Sequence, residues 1–148
     1  MKPEIPKVLE VVAAKLIFEI APSVTPSYRQ SSIGVTAMLL GMVREEWDRA
    51  AARRVEENAS LRALFGDAAS VVTDTDLRRR LEAAAGTVDA SLLVSELEKS
   101  NDALRALLIE LHAQVEQQSG ASSRALEDAI WRELSASTER RKVALAPF

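Results

Sequence analysis

One polar residue interrupts the longest heptad repeat in this chain. The repeat advances by three and four residues alternately, through Val94, Leu97, Asn101, Leu104, Leu108, Leu111 and Val115. This spacing predicts one helix with a narrow apolar stripe that packs against another helix. The stripe could serve a bundle core or an interface between copies, and these seven residues are the interface candidates.

Asn101 has two interpretations. Its neighbours Ser100 and Asp102 favour a solvent-facing position, where an asparagine costs nothing. The alternative is a hydrogen bond across helices of two partners, which would fix their register at some cost in stability. The sequence leaves both interpretations open.

Helical periodicity extends over the whole sequence. No segment alternates polar and apolar residues beside turn dipeptides, as a half-buried strand would. One helix is predicted over 3–20, and two long helices over about 27–65, with Gly66 as its stop, and about 89–118, with Asp89 as its cap. A short helix runs from a Thr73 cap to a Gly86 stop, and the last helix follows Ser122 or Ser123. We therefore expect an all-α, antiparallel bundle of about five helices in one domain, residues 1–148, with a tail at 144–148.

The first predicted helix is apolar on most of its sides. Its apolar residues are Ile5, Val8, Leu9, Val11, Val12, Leu16, Ile17, Phe18 and Ile20. A helix with this composition is normally central and buried.

The second predicted helix is long for a chain of 148 residues. Its inward stripe is predicted to contain Ile33, Leu40, Val43, Trp47 and Ala50, and to resume at Leu61 and Leu64. Between these, the stripe passes through Arg54 and Glu57, so the helix either extends beyond the core or bends near Asn58. At 1.5 Å per residue it would span roughly 55–60 Å, whereas a compact chain of this size is about 40 Å across. We expect a break in the helix or cover from another copy.

Two glycines lie two turns apart in that helix. Gly34 and Gly41 each cost roughly 1 kcal/mol relative to alanine, which favours close approach by another helix. The alternative is a ligand groove lined by Tyr28, Met38 and Met42, because methionine suits adaptable surfaces.

The sequence offers little catalytic chemistry. It contains no cysteine and one histidine, His112, which we expect to be half covered and hydrogen-bonded to a neighbour; the alternative is a general base or metal ligand. Acidic residues offset the basic cluster at 78–80, and the net charge is −3, which argues against nucleic-acid binding. We predict no catalytic residues, no metal site and no cofactor.

Membrane insertion and export are not indicated. The longest uncharged apolar run, Ile33 to Val43, is about half the roughly 20 residues of a membrane span. Charged residues interrupt the apolar N-terminal segment, so it does not resemble a signal peptide. We expect no membrane span and a cytoplasmic location.

The N-terminal third contains the runs Val8-Leu9-Glu10-Val11-Val12-Ala13 and Ile20-Ala21-Pro22, then Arg29, then Ala37 to Glu46. In these residues it resembles small uncharacterised bacterial helical proteins encoded beside aminoglycoside-phosphotransferase-like kinases and acyl-CoA dehydrogenases. The resemblance implies an accessory role rather than catalysis, and it supplies no site residues.

Three functions are compatible with these features. The first is a non-enzymatic helical interaction or accessory protein that forms a homo-oligomer, with a dimer favoured, or binds a protein partner. The second is a helical bundle that binds an apolar small molecule such as an acyl chain. The third is an enzyme whose site is shared between chains.

Overall fold

The computed structural model describes residues 4–143 and contains helices but no strand in that range. The five α-helices are α1 (Ile5–Lys15), α2 (Ser27–Ala69), α3 (Thr75–Ala85), α4 (Val94–Glu116) and α5 (Ala121–Arg140). A π-helical turn, Leu16–Ile20, and a 3-10 turn, Ala21–Ser23, follow α1. The predicted all-α fold is confirmed. The predicted tail at 144–148 lies outside the described residues.

The described residues form two compact units. The N-terminal unit contains residues 4–50 and 142–143, and the C-terminal unit contains Ala51–Arg141. That the two units act as one domain stays a prediction.

A continuous apolar core fills the C-terminal unit. It is formed by Leu61, Leu64, Phe65, Ala68, Ala69, Val72, Leu77, Leu81, Leu104, Leu108, Leu111, Val115, Leu126 and Ile130. All of these side chains are at most 8% exposed. The core therefore joins the last turns of α2 to α3, α4 and α5.

The heptad stripe of α4 is buried in this chain. Six of its seven residues are at most 5% exposed, and only Val94, the first residue of the helix, is exposed. Because these side chains are already covered, an interface between copies would have to use other residues.

Two helix boundaries differ from the predictions around α2 and α3. Helix α2 passes Gly66 and ends at Ala69, because Ala68 and Ala69 continue its buried face and that burial offsets the roughly 1 kcal/mol cost of an internal glycine. Asp74, not Thr73, caps α3, since its Oδ1 accepts a hydrogen bond from the Leu77 amide at 2.7 Å. The predicted stop at Gly86 is confirmed.

Helix α4 begins later than predicted. Its first residue is Val94, and Leu93 is the N-cap without a side-chain hydrogen bond. Asp89 does not cap the helix, because its carboxylate instead accepts hydrogen bonds from Arg62 and Asn58.

The N-terminal unit lacks a comparable core. Only Ala13 and Ala37 are fully buried in it, and Ala50 is nearly so. The prediction that the first helix is central and buried is wrong, as is the inward position of Val43 and Trp47, which are both exposed. The helices of this unit are α1 and residues 27–50 of α2. Each can cover only one side of the other, so the remaining apolar sides of both stay uncovered.

Candidate functional site

Asn101 lies inside the C-terminal unit and is fully buried. Its Nδ2 donates hydrogen bonds to Asn58 Oδ1 at 3.0 Å and to Glu57 Oε2 at 3.3 Å. Its Oδ1 accepts a hydrogen bond from Arg141 Nη2 at 3.2 Å. The solvent-facing interpretation of Asn101 is therefore wrong, and its cross-helix hydrogen bonds are made within one chain.

Glu57 is the centre of this buried polar network. Its side chain is 1% exposed, and its two oxygens accept hydrogen bonds from Arg141 Nε and Nη2, both at 2.7 Å. Ser137 Oγ donates to Oε1 at 3.2 Å, and Arg54 Nη1 lies 3.8 Å from Oε2. A buried carboxylate held by a two-point guanidinium contact is geometrically well defined.

The pKa of Glu57 reflects two opposing effects. Burial by itself raises the pKa of this carboxyl group, because it penalises the charged form. The hydrogen bonds and positive charge of Arg141, together with Ser137 and Arg54, outweigh burial and lower its pKa below the ordinary value. Glu57 is therefore held as a carboxylate and is poorly suited to donate a proton near neutral pH.

The network explains the charged interruption in the stripe of α2. Glu57 and Asn58 are both buried, and α2 is helical without a break from Ser27 to Ala69. The expected extension beyond the core is wrong at Glu57 and Asn58, because both are buried, and a bend near Asn58 stays a prediction. The polar interruption of α2 instead faces the polar interruption of α4 at Asn101.

A second ion pair anchors the loop before α4. Arg62 binds Asp89 through two hydrogen bonds, Nη2 to Oδ1 at 2.7 Å and Nη1 to Oδ2 at 3.1 Å. Arg62 also donates to Thr87 Oγ1 and Ser100 Oγ. The hydrogen bonds from Arg62 are the main cause that lowers the pKa of Asp89. These contacts fix a loop whose apolar side chains Val88, Leu92 and Leu93 are exposed.

His112 is packed against an aromatic ring. Its side chain is 20% exposed and meets Trp131 edge-on, with ring centroids 5.3 Å apart and planes at 87°. Its Nε2 lies 3.6 Å from Glu116 Oε1, which is too long for a hydrogen bond. The expected partial burial is confirmed, but the neighbouring carboxylate does not form the expected hydrogen bond with the ring.

Metal ligands do not converge in the part of the chain that the structure describes. No three His, Cys, Asp or Glu side chains among residues 4–143 could hold a metal ion together. A shallow pocket lies on α5, lined by Ala125, Asp128, Trp131, Arg132 and Ser135. None of its lining residues belongs to the predicted ligand groove.

The predicted groove residues lie on an open surface of the N-terminal unit. Tyr28 and Met38 are exposed, whereas Gly41 and Met42 are partly covered. A Cβ atom added to Gly34 would meet no atom within 4 Å, so no described helix packs closely against that glycine. A ligand at these residues stays a prediction.

Exposed apolar side chains dominate the N-terminal unit. Within residues 4–50, twelve large ones are between 37% and 65% exposed, namely Ile5, Val8, Val11, Val12, Phe18, Ile20, Tyr28, Val35, Met38, Leu39, Val43 and Trp47. At roughly 60–140 Å² of exposed surface each, their exposed surfaces sum to about 1,000 Å², divided between α1, the turns that follow it and α2. Four of them on α2, Val35, Leu39, Val43 and Trp47, present about 400 Å² together, which is comparable to the largest apolar patch of a typical monomer, about 300–600 Å². We call these twelve residues the N-terminal apolar surface.

Comparisons with known proteins give no family assignment. No protein-family model, curated protein or solved structure matches the chain. Within residues 4–143, none of the helices has the length and apolar character needed to cross a membrane.

Sequence reasoning missed the residues that complete the buried network. The sequence pattern marks Glu57 only as an interruption of the α2 stripe, and it does not single out Arg141 as a partner. The available signal is that the apolar stripes of α2 and α4 each contain a polar interruption. Because a buried polar group needs a partner, the two interruptions are best explained by mutual contact.

Proposed function

We propose that this chain is a non-enzymatic helical interaction protein that self-associates, with the N-terminal apolar surface as its contact region. The single observation that supports this proposal is the contrast between the two units. The C-terminal unit buries fourteen side chains in one apolar core and leaves six large apolar side chains exposed, whereas the shorter segment of residues 4–50 has no such core and leaves twelve exposed. Exposed apolar surface of this extent marks an interaction site.

The charges of the N-terminal unit favour another protein surface over a membrane or nucleic acid. Residues 4–50 contain five basic side chains, Lys7, Lys15, Arg29, Arg44 and Arg49, and six acidic ones, Glu4, Glu10, Glu19, Glu45, Glu46 and Asp48. Anionic membranes and nucleic acids select surfaces with a basic excess. The near balance of charge therefore supports an uncharged, apolar contact.

The C-terminal unit supports an interaction role rather than catalysis. Glu57 is the carboxylate best shielded from water, and Arg141, Ser137 and Asn101 already occupy its oxygens. We assign this network to the positioning of α2, α4 and α5. The resemblance of the N-terminal third to small uncharacterised bacterial helical proteins implies an accessory role, which is the same kind of function.

The test is the mass of the chain in solution, measured by sedimentation equilibrium from 1 to 100 micromolar. We expect an average mass that rises toward twice the chain mass of 16.1 kDa. Leu39→Glu is expected to shift this rise to at least tenfold higher concentration, because it places a charge within the apolar contact. Ile109→Glu is the matched control, since Ile109 is an exposed residue of α4 in the other unit. A mass of one chain at every concentration would contradict the proposal.

A further inference from the structure

Four residues of the N-terminal apolar surface form a continuous ridge along α2. Val35, Leu39, Val43 and Trp47 recur every four residues, and each is 51–59% exposed. Residues at this spacing form one of the ridges by which helices pack into the grooves of other helices. From Val35 to Trp47 the ridge is roughly 18 Å long. We call these four residues the α2 ridge.

We infer that the α2 ridge binds the α2 ridge of a second copy of this chain in an antiparallel arrangement, with Val35 against Trp47 and Leu39 against Val43. This inference rests on the proposed function and specifies its partner and geometry. In a two-fold dimer, contact of one residue with another implies the reciprocal contact. The pairs Val35–Trp47 and Leu39–Val43 satisfy that condition about a single centre near Gly41.

Side-chain size supports the antiparallel arrangement. The ridge has its smallest kind of side chain, valine, at one end and tryptophan at the other. Antiparallel pairing places the bulk of each Trp47 opposite the smaller Val35, so that the depth of the contact stays even along the ridge. Parallel pairing would place the two tryptophans together and leave a gap between the two valines, and gaps forfeit packing energy.

Charge permits contact along the centre of the ridge. Within α2, no charged residue lies between Arg29 and Arg44. At the Trp47 end, the carboxylate of Glu45 is paired with Arg49 at 2.7 Å, and Arg44 lies 3.4 Å from the carboxylate of Glu10. The centre of the ridge can therefore be covered without removing any charge from water.

The available area fits a small, reversible contact between two copies of the chain. The α2 ridge supplies about 400 Å² of apolar surface per copy, or about 800 Å² for the pair. Standard protein interfaces bury roughly 1,600 Å² in total, and weak, transient interfaces bury less than about 1,200 Å². We therefore expect a dimer that forms and dissociates reversibly with concentration.

Cysteine crosslinking tests the arrangement directly, because the chain contains no native cysteine. The variants Val35→Cys and Trp47→Cys are treated with a short bismaleimide, separately and mixed. In the antiparallel dimer only the mixture crosslinks efficiently, since residues 35 and 47 are close while two copies of residue 35 are roughly 18 Å apart. A second pair, Thr36→Cys and Glu46→Cys, has the same centre and retains all four ridge side chains.

The outcomes separate this inference from the proposed function. A dimer that crosslinks through Val35→Cys alone, and not in either mixture, would overturn the antiparallel arrangement and leave self-association intact. A dimer in which no ridge cysteine crosslinks would place the interface elsewhere. A chain that stays monomeric, or binds uncharged phosphatidylcholine vesicles through the ridge instead, would overturn both. Ile109→Cys is the control for random collision.

Discussion

Replacing Asn101 by leucine tests whether the buried network stabilises the C-terminal unit. The heptad pattern alone predicts a more stable protein, since leucine completes an aliphatic stripe. The structure predicts the opposite, because Asn101 is fully buried and bonds Glu57, Asn58 and Arg141. We therefore expect Asn101→Leu to destabilise the unit.

The magnitude follows from the groups left behind. Asn58 Oδ1 loses the hydrogen bond from Asn101 Nδ2, and an unsatisfied buried acceptor costs about 1–3 kcal/mol. Loss of the donor to the Glu57 carboxylate adds about 1.5–3 kcal/mol. Burial of the leucine side chain returns about 1–2 kcal/mol. The net loss is about 0.5–5 kcal/mol with a central value of about 3 kcal/mol, which lowers Tm by roughly 6–12 °C.

Urea unfolding followed by circular dichroism measures this loss as a lower midpoint at unchanged m value. Asp102→Leu is the matched control: it makes a similar change in helix propensity at an exposed neighbouring position. A double-mutant cycle with Asn58→Ala and Asn101→Ala isolates the pair, with an expected coupling of about 0.5–3 kcal/mol. If Asn101→Leu unfolds at the same or a higher urea concentration than the parent, the hydrogen bonds do not stabilise the unit and the reasoning is refuted.

Three further predictions follow from the same structure. Arg141→Ala should lower the free energy of unfolding by about 2–3 kcal/mol, because it leaves the Glu57 carboxylate buried without its main partner. Arg141→Lys should recover part of this loss. Equal stability of the parent, Arg141→Ala and Arg141→Lys in urea would contradict this prediction. The folded-state pKa values of Glu57 and Asp89 are lowered, so the stability that their charged forms provide is complete above the ordinary carboxyl pKa of about 4 and is lost as the pH falls through the lower folded-state values. Asp89→Asn should therefore weaken the dependence of the urea midpoint on pH between about pH 6 and pH 2. A pH profile equal to that of the parent would argue against this role of Asp89. In a Trp131→Phe protein, Trp47 is the sole tryptophan. Its emission, excited selectively over that of Tyr28, should shift to the blue as concentration rises, whereas a constant spectrum would exclude Trp47 from the interface.

The all-α fold could be predicted because helical periodicity depends on the local sequence. The heptad spacing of α4 correctly marked a buried stripe, and the Gly86 stop was correct, since both signals lie within a few residues of the feature they predict. The boundaries at Gly66 and Asp89 failed for the opposite reason. Burial of Ala68 and the ion pair with Arg62 depend on residues that are distant in sequence.

The buried network was only half predictable. Asn101 was identified because it interrupts a pattern, but its partners Glu57 and Arg141 are 44 and 40 residues away. The same limit explains the errors in the N-terminal unit. Amphipathic patterns show which side chains are apolar but not whether the same chain covers them, so α1 and Trp47 were wrongly predicted to be buried.

The pairing of Glu57 with Arg141 has a consequence for synthesis on the ribosome. The two residues are 84 positions apart, and at about 5–20 residues per second the arginine is polymerised roughly 4–17 s after the glutamate. During that interval the nascent helices lack the guanidinium of Arg141, which binds both oxygens of the carboxylate. The final closure of this unit should therefore await α5, rather than proceed by a gradual addition of one helix after another.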